Sequence, residues 1–314
     1  MTHADSSGQL TTNSGFPLSV IAPTRFHAYR ADERRYSLSA TADFLADAGF
    51  GGADLSFDTL EAPRDFDGDE GFRAVLWSFA NRAAARGLSL PLCHLPFYMP
   101  SPDDSAAMSR FARLMRDALR ASAGVGIPTA VVHPIVRHGS VCSREAWLAE
   151  NIAFLRPLCE EACRLRVTLC VENMVGRPYA THPDEAVFGS RAADIRELAQ
   201  ALGTMVCWDF GHANLTGLCQ SVELERLAGL VRVVHVHDND GVRDTHRIPG
   251  TVPSPGAIDW DDAAEGLRLA GYLATSERCF EMEIKTSDIP DDLSLRRAYA
   301  ARTLAAAADL ASRL

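Results

Sequence analysis

Six short apolar runs in this chain end in a side chain that can bind a metal ion or carry a proton. Residues 90–94 (LPLCH), 130–133 (AVVH) and 231–235 (VRVVH) close on histidine. Residues 168–172 (TLCVE), 205–209 (MVCWD) and 279–283 (CFEME) close on carboxylates. Asp209 and His212 form an Asp-x-x-His pair, Asp244 and His246 an Asp-x-His pair, and His235 and His237 stand two residues apart. A carboxylate closing an apolar strand is partly desolvated, which costs several kcal/mol unless it is paired or metal-bound. Alone, His94 and His133 read more readily as structural histidines than as ligands, whereas Glu172 is harder to assign to structure. Together they describe a divalent-metal site of imidazoles and carboxylates, a donor set that suits Mn²⁺ or Zn²⁺ first and also Co²⁺ or Mg²⁺.

Such a site needs elements that bring distant residues together. Continuous apolar runs read as strands buried on both faces, near 17–22, 52–57, 88–95, 129–134, 167–173, 204–210, 231–237 and 279–285. Helical patterns alternate with them near 37–48, 70–86, 104–123, 143–165, 190–202, 220–228, 260–270 and 291–313. Ser143 with Glu145, Asp259, and Pro102 with Asp103 are start signals, and Gly49, Gly87 and Gly203 are stop signals. Eight strands alternating with eight helices predict an α/β fold, a single (β/α)₈ barrel over residues 16–314, with the chemistry at the carboxyl ends of the strands. A doubly wound sheet would place a glycine-rich turn after the first strand, and Pro23-Thr24-Arg25-Phe26-His27 has no glycine.

Composition narrows the partners. The net charge of −10 disfavours a general grip on nucleic acid, and residues 58–70 after the second strand carry six acidic side chains against one arginine. The polar first fifteen residues read as a disordered lead-in without the pattern of a signal peptide. No apolar run reaches the roughly 18 residues that span a bilayer, so the expectation is a soluble, cytoplasmic protein, with a homo-oligomer left open. The eight cysteines, which include Cys93, Cys170 and Cys207 inside predicted strands, read as small buried hydrophobes; no CxxC pair occurs. Lys285 is the sole lysine and follows Glu283 by two residues, a candidate for the same site.

The stretches VEN (171–173), WDFGHAN (208–214) and VHVHDNDGVRDTH (234–246) resemble those of the xylose isomerase-like barrels, a superfamily of sugar isomerases and epimerases that also includes type IV apurinic endonucleases. The resemblance runs from about residue 17 to 290. It implies one divalent cation held by Glu172, Asp209, His235 and Glu283. The endonuclease branch builds a three-zinc cluster, and its further ligands match His94, His133, His212, Asp244 and His246.

Two reactions follow. The first is isomerisation or epimerisation of a keto-sugar or related polyol, with Glu172 and Glu283 exchanging a proton through a metal-stabilised enediolate. His212, Arg243, Lys285 and Trp208 would then contact substrate, and Phe97, Tyr98 and Trp260 are further candidates for the pocket wall. The alternative is zinc-dependent phosphodiester hydrolysis at abasic sites. A barrel that binds without catalysis is a third reading. For sugar phosphates no glycine-rich cradle is evident after the last two strands, and Gly250 and Gly256 read as turn formers in a closing loop.

Overall fold

The computed structural model describes residues 9–28, 36–57, 70–176, 187–253, 255–275 and 277–314. Its strands are β1 (Gln9–Thr11), β2 (Pro17–Pro23), β3 (Gly52–Ser56), β4 (Ser89–His94), β5 (Thr129–Val132), β6 (Arg137–His138), β7 (Thr168–Glu172), β8 (Val187–Phe188), β9 (Met205–Asp209), β10 (Val231–His235) and β11 (Cys279–Glu281). Eight of them, β2, β3, β4, β5, β7, β9, β10 and β11, pair in parallel in that order, and β11 returns to β2 to close the ring. The helices are α1 (Arg25–Ala28), α2 (Leu38–Ala48), α3 (Glu70–Ala85), α4 (Ser105–Gly124), α5 (Arg144–Leu165), α6 (Ala192–Leu202), α7 (Phe210–Leu215), α8 (Gln220–Arg226), α9 (Trp260–Leu269) and α10 (Leu293–Ala311). The fold is the (β/α)₈ barrel that the alternation predicts.

Period-two geometry sorts the strand side chains into two cores. Ile21, Leu92, Val131, Cys170, Cys207, Val233 and Cys279 fill the barrel interior as one apolar layer. Their chain neighbours, such as Ala130, Val171, Trp208, Val234 and Phe280, face the helices. Two residues after six of these seven positions comes a polar one, His94, His133, Glu172, Asp209, His235 and Glu281, whereas Pro23 follows Ile21. The apolar layer therefore forms the floor on which the next layer stands. Glu283 and His237 lie one further step toward the mouth.

Local signals act as expected at several ends. Ser143 Oγ accepts from the Ala146 N–H at 3.2 Å, and Asp259 caps α9 through the N–H groups of Asp261 and Asp262. Gly49 and Gly203 close α2 and α6 in the left-handed conformation. The third long helix is capped by Asp104, one residue beyond the anticipated Asp103.

Two findings differ from the sequence reading. Residues 9–11, expected in the disordered lead-in, form β1, antiparallel to β2, with Leu10 opposite Leu18 and both buried. The strand is short and its outer residues polar, so no periodicity announces it. The two-residue pair β6–β8 and the short helices α1 and α7 were likewise too brief to leave a pattern. Most of the acidic loop at 58–70 lies outside the described residues, which resume at Glu70.

All eight cysteines are free, and burial raises the thiols of Cys93, Cys170, Cys207 and Cys279. No helix among the described residues is long and apolar enough to cross a membrane.

Candidate metal centre

The centre of the barrel mouth is built on Glu172, at the end of β7. Its Oε2 lies 3.3 Å from His94 Nε2 and 3.2 Å from His133 Nε2. Its Oε1 lies 3.3 Å from His212 Nδ1 and 3.5 Å from His235 Nδ1. The same His235 nitrogen stands 3.7 Å from Asp209 Oδ2 and 3.4 Å from Glu283 Oε2. Glu172, Asp209, His235 and Glu283 are all buried. Ligands about 2.1 Å from a tetrahedral ion stand roughly 3.4 Å apart; Asp209, His235 and Glu283 form one group of nearby donor atoms, and Glu172 joins Asp209 and His212 in another.

Three histidines are oriented by main-chain carbonyls. The Nδ1 of His94 faces the Leu95 carbonyl at 2.9 Å, that of His212 the Asn173 carbonyl at 2.8 Å, and that of His246 the Glu283 carbonyl at 2.7 Å. A carbonyl accepts only, so each Nδ1 carries the proton and each neutral ring offers an Nε2 lone pair. That lone pair meets further acceptors: Glu172 Oε2 for His94, and Asp244 Oδ2 at 3.7 Å for His212 and 3.1 Å for His246. Two acceptors facing one another need a positive charge between them, a second proton or a metal. His235 makes the same demand more sharply. Both of its ring nitrogens are buried without a hydrogen bond, one facing the carboxylates and the other 3.3 Å from Glu281 Oε2. The donor set fits a divalent cation, with Glu281 behind His235 as the carboxylate that orients a ligating imidazole.

Without a cation, protons perform this neutralisation. Burial opposes the imidazolium of His94, but its bond to Glu172 raises the ring to about 9. Burial likewise opposes His212 and His235, yet neighbouring acids, with Asp209 foremost for His212, hold both well above the ordinary value. For Glu172 and Asp209 burial acts upward, while His235 and His133 in one case and His212 and His237 in the other hold the carboxyls well below theirs. His133 is lowered because burial prevails over Glu172. Cys207 lies beside Glu172 and His235, and burial raises its thiol well above the ordinary value.

The sequence motifs acquire mechanical reasons. Asp209 is both a carboxylate of the centre and the N-cap of α7, accepting the His212 N–H at 2.6 Å, so Asp-x-x-His is the geometry of a capped turn. Asn173, the N of VEN, accepts from the Asp209 N–H at 2.6 Å and donates to the Asp209 carbonyl at 3.0 Å. It locks the ends of β7 and β9 in register. His237 places Nε2 3.0 Å from Asp209 Oδ2 and stacks on His246 with ring centroids 3.8 Å apart. It forms a third potential ligand group with Asp244 and His246, beside the groups His94–His133–Glu172 and Asp209–His235–Glu283. A Cβ on Gly211 would sit 2.0 Å from the His237 ring. Gly211→Ala is therefore expected to displace His237 and weaken metal retention about 10- to 100-fold; elemental analysis after dialysis against graded chelator measures this, and unchanged retention would remove His237 from the centre.

Some expected substrate contacts stand elsewhere. Trp208 is wholly buried on the outer face of β9, its indole N–H donating to Gln220 Oε1 at 2.9 Å. Strand alternation turns it away from the mouth whenever Asp209 faces inward. Trp260 is likewise core, packed edge-on against Phe210. Arg243 lines a cavity separate from the mouth. Lys285 reaches the mouth, about half exposed, 3.6 Å from Asp288. Phe97 packs edge-on against His94, and exposed Tyr98 borders the mouth. Arg25, which the sequence reading did not select, pairs its Nη2 with Glu283 Oε1. The mouth cavity, about 290 Å³, is lined by Arg25, Tyr98, His246, Lys285, Thr286 and Ser287.

Comparison with known proteins agrees with this architecture. The sequence model described as xylose isomerase-like TIM barrel matches residues 42–307. The chain belongs to this family. A curated relative, the uncharacterized protein y4fM of Sinorhizobium fredii, is 26% identical over 168 residues, 51% of this chain and 49% of the relative, so the match spans about half of each. Among solved structures, a putative xylose isomerase from Rhodospirillum rubrum superposes with a TM-score of 0.69 at 17% identity, covering 92% of this chain and 99% of that one. D-psicose 3-epimerase, solved in the presence of D-fructose, gives 0.68 at 15% identity, covering 92% and 97%. At such identities the likeness concerns the fold. Within this xylose isomerase-like barrel, the ligand groups described above are read from the chain's own side chains.

Proposed function

We propose that this xylose isomerase-like protein is a divalent-metal-dependent isomerase or epimerase of a keto-sugar or related polyhydroxylated carbonyl compound. The observation that carries the reading is the position of two buried carboxylates, Glu172 and Glu283, 3.5 and 3.4 Å from the same His235 nitrogen, beneath a mouth sized for a small molecule. Glu172, Asp209, His235 and Glu283 would hold the ion. When bound, it would supply Lewis-acid stabilisation of the negative charge that develops on a substrate oxygen as a proton leaves the adjacent carbon.

Glu172 and Glu283 are the acid–base pair of this proposal, one taking the carbon-bound proton and the other returning one. Arg25 fixes Oε1 of Glu283 and leaves Oε2 toward the centre. His246 and Lys285 border the mouth and are the residues proposed to contact substrate oxygens, together with His212 at the centre itself. The likeness in fold to D-psicose 3-epimerase and L-ribulose 3-epimerase supports the substrate class.

Incubation with a panel of keto-sugars in D₂O tests the proposal. Deuterium is expected beside the carbonyl of one substrate, with its epimer or aldose accumulating. Absence of exchange across the panel, with cleavage of an abasic oligonucleotide, would reverse it. That second reading, a zinc-dependent phosphodiester hydrolase, draws support from the several adjoining ligand groups, which suit a polynuclear centre. Metal content separates the two: about one Mn²⁺ or Co²⁺ per chain accords with the epimerase, and two or three Zn²⁺ with the hydrolase.

A further inference from the structure

The segment from 243 to 247 faces two ways. Asp244 and His246 turn toward the metal centre, whereas Arg243, Thr245 and Arg247 line a separate cavity of about 490 Å³. Thr251 and, from α10, Tyr299 and Arg302 complete its polar lining. Three guanidiniums thus border one cavity on a chain of net charge −10. None of the three has a carboxylate within ion-pair distance among the described residues. Asp240, the acid of the lining, spends one carboxylate oxygen on the N–H groups of Val242 and Arg243, at 2.9 and 2.8 Å, which fixes the turn.

Burial raises the Tyr299 phenol, and Arg247 and Arg302 oppose that rise, with Asp288 acting the other way. Both guanidiniums are therefore close enough to act on the phenol across the cavity. Some surface arginines pair with acids, as Arg137 does with Glu150 and Arg144 with Asp194, and others such as Arg110 and Arg166 do not; what distinguishes Arg243, Arg247 and Arg302 is that they line one cavity. Three arginines that line one cavity beside the single carboxylate of Asp240 leave an excess of positive charge, which matches a ligand that brings its own negative charge. Planar guanidiniums and threonine hydroxyls suit phosphate oxygens, and the volume exceeds what a bare anion needs.

We propose that this cavity is a second binding site, for the phosphate group of a small phosphorylated molecule, set behind the metal centre across the 243–247 segment. The site stands independently of the reaction proposed above. Its charge can be met by inorganic phosphate or by a phosphate ester, and the test separates the two.

Calorimetric titration of the metal-loaded protein with inorganic phosphate, D-fructose 6-phosphate and D-fructose, at about 0.15 M salt, provides it. Expected is binding of a phosphorylated probe, weakened about tenfold or more in Arg302→Ala and in Arg247→Ala and unaffected in Asp209→Asn. Tighter binding of the ester assigns the site to a phosphorylated metabolite, and equal binding to free phosphate. Arg302 is exposed on α10, so Arg302→Gln provides a second variant whose fold is checked by thermal unfolding. The proposal is overturned if neither phosphorylated probe binds below about 10 mM, or if binding of the phosphorylated probes survives both arginine variants.

Discussion

Glu283→Gln is expected to lower turnover by about 10³-fold while the barrel stays folded. Glutamine keeps the volume and can still accept from Arg25, whose Nη2 contacts Oε1, so the ion pair becomes a weaker neutral-acceptor bond. The amide cannot carry a proton between carbon and solvent, and general acid–base groups contribute typically 10²–10⁴-fold. Burial alone would raise Glu283, but Arg25, then His235 and His246, outweigh it and bring the carboxyl to about 2. It is thus ionised at neutral pH, the form needed to accept a proton. The check is kcat of the variant beside its circular dichroism and metal content. Activity within tenfold of the parent, with metal retained, would remove Glu283 from the acid–base role.

Much of this arrangement could be read in advance because two periods coincide. The interior apolar layer and the polar layer above it are two residues apart on strand after strand, as with Leu92 and His94, Cys170 and Glu172, or Val233 and His235. A strand that must be apolar on both faces and then end in a polar residue is a strong signal. The same rule assigns Trp208 to the outer face, because Asp209 next to it faces inward; its failure as a substrate contact was implicit in the alternation. Arg25 left no signal: it follows the first barrel strand, which ends without a ligand, and its role depends on β11 pairing with β2 at opposite ends of the chain. The capping role of Asp209 was hidden for another reason. Asp-x-x-His reads as a ligand pair, and only the α7 turn reveals that one carboxylate serves both purposes. β1 escaped because a three-residue strand needs its hairpin partner, and Leu10 alone has no period.

Stripping the metal is expected to destabilise the protein, and to do so more at higher pH. In the metal-free site His94, His212, His235 and His246 are all raised above the ordinary imidazole value. A group whose folded pKa is raised contributes stability that is complete below its unfolded value, about 6.5, and is lost as pH climbs through the folded value. For His94 that window runs from about 6.5 to about 9. Across it the metal-free protein loses the protons that neutralise Glu172 and its neighbours, whereas a bound cation needs none of them. The difference in Tm between loaded and chelated protein should therefore widen from pH 6.5 toward 9. At a free metal concentration about a thousandfold above Kd the stabilisation is about 4 kcal/mol, on the order of 10 °C. Metal binding near pH 7 should also release protons, seen as a dependence of calorimetric enthalpy on buffer ionisation. A Tm difference that narrows as pH rises, or binding without proton release, would mean that the carboxylates and imidazoles at the mouth neutralise one another and that the cation is held elsewhere.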